Sequence, residues 1–245
     1  MAFYITGHLG NRIEAPLDFL LEGLITAIRL LVTGDSETFS AVFATLKASG
    51  SSMAASLVLG IPAGFMLGYY RFKGHRQVRM LVDTLLALPT VLIGLLVYAF
   101  LTRNGPLGEA GLLFTIPAIA IGQTILALPI VIALTASAVE GRDSQLGMVL
   151  MSLGADRRQI LLTSLWEVRY GVAAAAVTAC GRVLTEVGIS MMIGGNIKWH
   201  TRTVTTAIAL ETSKGQFGMG IALGLILLII AFLISGSVAF FRRKY

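Results

Sequence analysis

Ala110 to Val139 reads AGLLFTIPAIAIGQTILALPIVIALTASAV, a run with no charged residue. A bilayer core takes roughly 20 apolar residues as a helix, so this stretch is long enough to cross a membrane. Directly after it, Glu140 to Arg169 is polar and basic, and its centre reads Ser152-Leu153-Gly154-Ala155-Asp156-Arg157-Arg158-Gln159. A connection of that length inside a small membrane protein is uncommon unless it has work to do.

Further charge-free runs extend the pattern on both sides. Ala48 to Tyr70, Thr84 to Thr102 and Gly215 to Phe241 also lack charge. Val172 to Ile193 is apolar and alanine-rich apart from Arg182 and Glu186. Leu17 to Val32 completes about six spans, with Asp18, Glu22 and Arg29 near one helical face, as a protein-facing stripe or an interfacial helix. Composition agrees, because 56% of the 245 residues are hydrophobic and only 13% charged, about half the charge of a soluble domain. The expected class is an all-α polytopic membrane protein, residues 1–245 forming one transmembrane domain.

The formal charge of +6 has a topological reading. With both ends inside, the inner face holds Arg12, Arg71, Lys73, Arg76, Arg79, Arg142, Arg157, Arg158, Arg169, Arg242, Arg243 and Lys244. The outer face holds Lys47, Arg103, Lys198, Arg202 and Lys214. This positive-inside bias places the 140–169 segment and the C-terminus in the cytoplasm, and it removes the need for a nucleic-acid partner.

Proline and glycine punctuate the spans. Pro62, Pro117 and Pro129 lie within them, and Gly60, Gly64 and Gly68 recur every fourth residue, a spacing that lets another helix approach closely. Leu-Ala-Leu-Pro occurs at 86–89 and 126–129, expected in two helices of opposite direction. Chemistry is harder to find. His8, His75 and His200 are scattered, the single cysteine is Cys180, and no catalytic nucleophile or metal-ligand set can be read. A phosphate-cradling GxxxxGK[ST] loop is also missing, so any ATP that drives this chain must be hydrolysed by another subunit.

Three constellations remain. Arg182 and Glu186, four apart on one face, should point inward, either as part of a gate or path wall or as an ion pair that fixes packing. Gly194-Gly195-Asn196, with Thr201-Arg202-Thr203, offers donors that suit an oxyanion, although the composition alone equally describes a loop and favours that simpler reading. In the 140–169 segment, Gly154 ending one periodic stretch and Asp156 opening another predict helix, turn and helix. That unit either covers the helices above it with Met148, Leu150, Met151, Leu153, Ile160 and Leu161, or presents Arg157 and Arg158 to a partner.

Leu153-Gly154-Ala155 in this position resembles the coupling motif of ABC importer permeases, and the surrounding chain resembles the molybdate, tungstate and sulfate branch of that family. The likeness runs over about residues 45–240. It includes Leu88-Pro89 with Gly94-Leu95-Leu96, Arg103 to Gly108, Gln123 to Pro129, Arg182 to Gly188, Gly194 to Ile197, and Thr201-Arg202-Thr203. Only the centre of the coupling motif is kept. Met148-Val149-Leu150 stands where the family has Glu-Ala-Ala, and Ser164 to Glu167 reads Ser-Leu-Trp-Glu in place of Ile-x-Leu-Pro. Arg169-Tyr170-Gly171 and the string Thr201 to Phe217 are most similar to tungstate permeases.

The resemblance implies a type I ABC importer permease fold, with residues 1–40 an N-terminal helix region, 45–240 the permease core and 140–169 a cytoplasmic coupling loop. It also implies a homodimer in the cell (inner) membrane, two cytoplasmic ABC ATPase subunits that use ATP and Mg, and an extracytoplasmic oxyanion-binding protein. This chain would bind no cofactor. The alternative is a secondary transporter or channel of the same topology, driven by an ion gradient, in which Glu186 becomes a proton or cation site.

Overall fold

The computed structural model describes residues 20–142 and 146–243. Among them the ordered elements are helical. Residues 20–33 form α1. They are followed by α2 (Ser36–Tyr69), α3 (His75–Leu85), α4 (Thr90–Leu101), a 3-10 turn at Gly108–Ala110, and α5 (Ile116–Glu140). The chain continues through α6 (Leu146–Ser152), α7 (Arg157–Glu167), α8 (Arg169–Leu184), α9 (Gly188–Gly194), α10 (Val204–Ser213) and α11 (Phe217–Arg243).

Among the described residues three helices are long and apolar enough to cross a bilayer: Ser36–Tyr69, Ile116–Glu140 and Phe217–Ser237. Two further spans arise only if bent pairs are counted as one, α3 with α4 at 97° and α7 with α8 at 53°. The charge-free runs therefore mark apolar centres and miss helix ends. Helix α2 begins twelve residues before the run at Ala48 because Asp35 starts it, its carboxylate accepting from Thr38 N at 2.8 Å and from Thr38 Oγ1 at 2.7 Å. Conversely, α5 starts only at Ile116, where the Thr115 side chain accepts from Ala118 N and Pro117 fits the first turn.

Two expected continuous spans are broken. Thr84 to Thr102 changes direction at residues 86–89, since proline disfavours a helical residue before it and has no N–H to continue the ladder. Thus the first Leu-Ala-Leu-Pro is the joint between α3 and α4, whereas Pro129 of the second sits within α5. The expectation of two helices with a repeated tetrapeptide does not hold. Val172 to Ile193 likewise stops at Leu184 and restarts at Gly188.

Helix α5 is the centre of the bundle. Its Ala118 and Leu126 pack with Ile93, Val97 and Leu101 of α4 and with Ile189 and Ile193 of α9. Its Ala127 and Val131 pack with Met53 of α2 and with Ala179 and Val183 of α8. Helices α2 and α5 run parallel, because Gly60, Gly64 and Gly68 meet Val131, Ile132 with Thr135, and Ala136 with Val139 in ascending order. A Cβ on Gly64 would lie 2.6 Å from Ile132 O and 2.8 Å from Thr135 Cβ, so the backbones touch only without a side chain. Helix α1 packs Ala27 and Leu30 against Ala222 and Ile226 of α11 and leaves Glu22 and Arg29 exposed; Asp18 lies outside the described residues.

Candidate functional site: a rigid corner and a tethered loop

The stretch expected to form a helix, a turn and a helix does so, and hydrogen bonds fix its shape. Gly154 N–H donates to Met151 O at 3.0 Å and Ala155 N–H to Leu150 O at 3.0 Å, the paired bonds of a Schellman motif that ends α6. The motif needs a left-handed residue, and Gly154 has φ of 83°. Two residues on, a capping box opens α7: Gln159 N–H donates to Asp156 Oδ1 at 2.7 Å, and Asp156 N–H to Gln159 Oε1 at 2.8 Å. Gly154, Asp156 and Gln159 are therefore spent on the corner itself.

What the corner presents is apolar and cationic. Leu153 at its tip is 77% exposed, and Met148, Val149 and Met151 on α6 are exposed too. Arg157 and Arg158 are exposed beside it, while Ser152 Oγ donates back to Val149 O and Ala155 is half-buried. Of the apolar residues that could cover the helices above, only Ile160 is buried, because it anchors α7; Leu150 and Leu161 are half-buried. Trp166, 65% exposed, extends the surface along α7, and the Arg169 guanidinium stacks 4.7 Å from its ring and 4.3 Å from that of Tyr170.

Arg182 and Glu186 pair as their spacing predicts, with Nη1 to Oε2 at 3.1 Å. The two side chains are unequal in exposure, 44% for Arg182 and 2% for Glu186. The carboxylate is further occupied, since Ile189 N–H donates to Oε1 at 3.1 Å in the first turn of α9. Thr205 Oγ1 of α10 donates to Glu186 O at 2.9 Å. Glu186 thus binds α8, α9 and α10 together, and Arg182 keeps a face open.

The 194–203 segment is a tethered loop. Gly194 closes α9 and is buried, and Gly195 caps it in the left-handed region. Thr201 Oγ1 donates to Gly194 O and accepts from Ile197 N. Arg202 donates through Nε to Asn196 Oδ1 at 3.2 Å and through Nη1 to Glu37 Oε1. Thr203 caps α10 in a reciprocal pair with Thr206, and Val204 N–H donates to Thr45 Oγ1 at 2.9 Å. Glu37 also holds Lys198 Nζ at 2.7 Å. Sequence reading missed Glu37 and Thr45, because they lie 165 and 159 residues from their partners and carry no local pattern.

Glu37 and Thr45 belong to the first third of α2, and the corner follows α5 beyond the point where α2 ends. The 34 residues of α2 span about 50 Å, so corner and tethered loop lie at opposite ends of the bundle. At the loop end, Asp35, Glu37, Lys198, Arg202, Glu211 and Lys214 line a cavity of about 410 Å³.

These features define a polytopic helical membrane protein with a rigid corner at one end and a braced polar loop at the other. Residues 60–245 match the model of the binding-protein-dependent transport system inner membrane component, and the chain belongs to that family. It is 45% identical over 216 residues to the tungstate uptake system permease protein of Campylobacter jejuni, covering 88% of this chain and 90% of that one. It is 35% identical over 222 residues to the protein of the same description from Peptoclostridium acidaminophilum, covering 91% and 97%. Its fold is like that in the crystal structure of a bacterial alginate ABC transporter in complex with an alginate pentasaccharide-bound periplasmic protein, with a TM-score of 0.71 at 20% identity over 99% of this chain and 94% of that one.

Proposed function

We propose that this chain is the membrane-spanning permease subunit of an ATP-driven importer for a tetrahedral oxyanion, with tungstate first and molybdate next. The observation that carries the substrate is the 45% identity, over nearly the whole of both chains, to a tungstate uptake permease. The chain works as a homodimer with the path between its two copies. Two cytoplasmic ABC ATPase subunits consume ATP and Mg, a binding protein delivers the anion from outside, and this chain holds neither nucleotide nor metal.

The site divides along the bundle. Ser152 to Gln159 docks on the ATPase, with Leu153 as an apolar knob and Arg157 and Arg158 as charges; the Schellman turn and capping box let the corner move as a solid piece. Gly194 to Thr203 forms the outer wall of the path. Arg182 faces the path with its open side while buried Glu186 orients it, and a single half-exposed cation suits an anion that must be held weakly and released. The C-terminus is cytoplasmic.

The test is uptake by the complete importer, permease with ATPase and binding protein, in sealed vesicles. Tungstate should accumulate only with ATP, and molybdate should compete better than sulfate. Replacing Gly154 with Trp should leave ATP hydrolysis in place and cut uptake about tenfold, a coupling change within the usual range. Gradient-driven uptake by the permease without the ATPase would instead establish a secondary transporter.

A further inference from the structure

A carboxylate faced by two guanidinium groups and an imidazole lies where α5 ends and the segment leading to the corner begins. Glu140, the last residue of α5, has Oε1 at 3.9 Å from Arg71 Nη1 and 4.0 Å from His75 Nε2, and Oε2 at 3.7 Å from Arg79 Nη1. All three lie beyond hydrogen-bond distance. Arg79 is otherwise fixed: Nε donates to Asp83 Oδ2 at 3.1 Å and Nη2 to Ser137 Oγ at 2.7 Å. Its Nη1 is buried without a hydrogen-bond partner.

The neighbours of this pair tie three pieces of chain together. His75 is buried, and its Nε2 lies 2.7 Å from Leu67 O; a carbonyl only accepts, so Nε2 carries the proton. Two residues beyond Glu140, the Arg142 guanidinium packs 4.2 Å from the Tyr69 ring at the end of α2. The last turn of α2, the body of α3 and the exit of α5 therefore meet at one cluster, on the path into α6. A desolvated guanidinium N–H without an acceptor is unfavourable. Shortening the 3.7 Å separation by under an ångström would give it a charge-assisted bond to Glu140.

We propose that Arg79 and Glu140 form a latch that closes in one transport state and carries motion of the α6–α7 corner to α2 and α3. This rests on the reading of that corner as the ATPase-docking element. Glu140 acts through Arg79 and is a positioning residue; it does not touch the anion. Asp83, Ser137, His75 and the Arg142 stack set where the two groups stand when the latch is open.

The experiment compares the complete importer built with wild-type permease, with Glu140→Gln, and with the double variant Arg79→Gln and Glu140→Gln, reading ATP hydrolysed per tungstate taken up. Both variants should raise that ratio at least about fivefold, with ATP hydrolysis retained, as expected for loss of a coupling at the low end of the usual range. A merely structural role would lower hydrolysis and uptake together and leave the ratio at the wild-type value, which overturns the latch. The double variant removes both charges of the pair and leaves only the half-exposed Asp83 without its partner, so it decides the matter even where the single variant does not assemble. Wild-type importer without ATP-coupled tungstate uptake would overturn the importer reading and the latch with it; coupled wild type with equally coupled variants overturns the latch alone.

Discussion

Glu186 is held on both sides of its carboxylate, by Arg182 and by the Ile189 N–H. At the residue scale its replacement separates packing from transport. Glu186→Gln keeps an amide oxygen for Ile189 and releases a half-exposed arginine, so it should cost on the order of 1 kcal/mol; Glu186→Ala leaves a buried N–H unpaired and should cost about 2–3 kcal/mol. Thermal unfolding of the purified permease checks this order, with the alanine variant melting several degrees lower. Equal melting of the two would show that Ile189 finds another acceptor. The Arg182 and Glu186 contact was legible from a spacing of four. Their unequal burial was not, because it depends on α9 and α10 closing over one partner only.

At the element scale, α2 and α5 are joined along a glycine face. Gly64→Leu puts a side chain where Ile132 O stands 2.6 Å from the first added atom, and overpacking of this kind costs about 1–3 kcal/mol or more when backbone must move. The yield of folded permease and its melting temperature should both fall. Gly50→Ala in the same helix meets nothing within 4 Å and should be neutral or slightly stabilising, since alanine favours helix. A loss at Gly50 matching that at Gly64 would remove close packing as the reason. The recurrence of Gly60, Gly64 and Gly68 announced this contact in the sequence, but its partner and the parallel direction came only from the fold. Pro89 and Pro129 teach the converse: the same tetrapeptide is a joint where α3 turns through 97° into α4 and part of a helix in the middle of α5.

At the scale of the whole molecule, corner and tethered loop stand at opposite ends of the bundle, and the proposed topology predicts that they label from opposite sides of the membrane. In a Cys180→Ala background, Trp199→Cys, exposed in the loop, should react with a membrane-impermeant maleimide added to intact cells. Leu153→Cys should react only after the membrane is opened. Labelling of Leu153→Cys in intact cells would invert the topology. Glu140 and Gly154 lie at the same end of the bundle, away from the 194–203 loop.

Apolar composition and the order of charge-free runs determined the class of this protein, and positive bias set the expectation for the side of its corner, because transfer into a bilayer is decided by side-chain chemistry summed over about 20 residues. Gly154, Asp156 and Gln159 likewise determined the corner, since Schellman turns and capping boxes are closed by neighbours within five residues. Only the tertiary structure decided that Glu37 braces Arg202 and Lys198, that Thr45 holds the start of α10, and that Arg79 faces Glu140. Those groups are separated by long stretches of chain, and what brings them together is the packing of small-residue helix faces, which leaves no local periodicity to read.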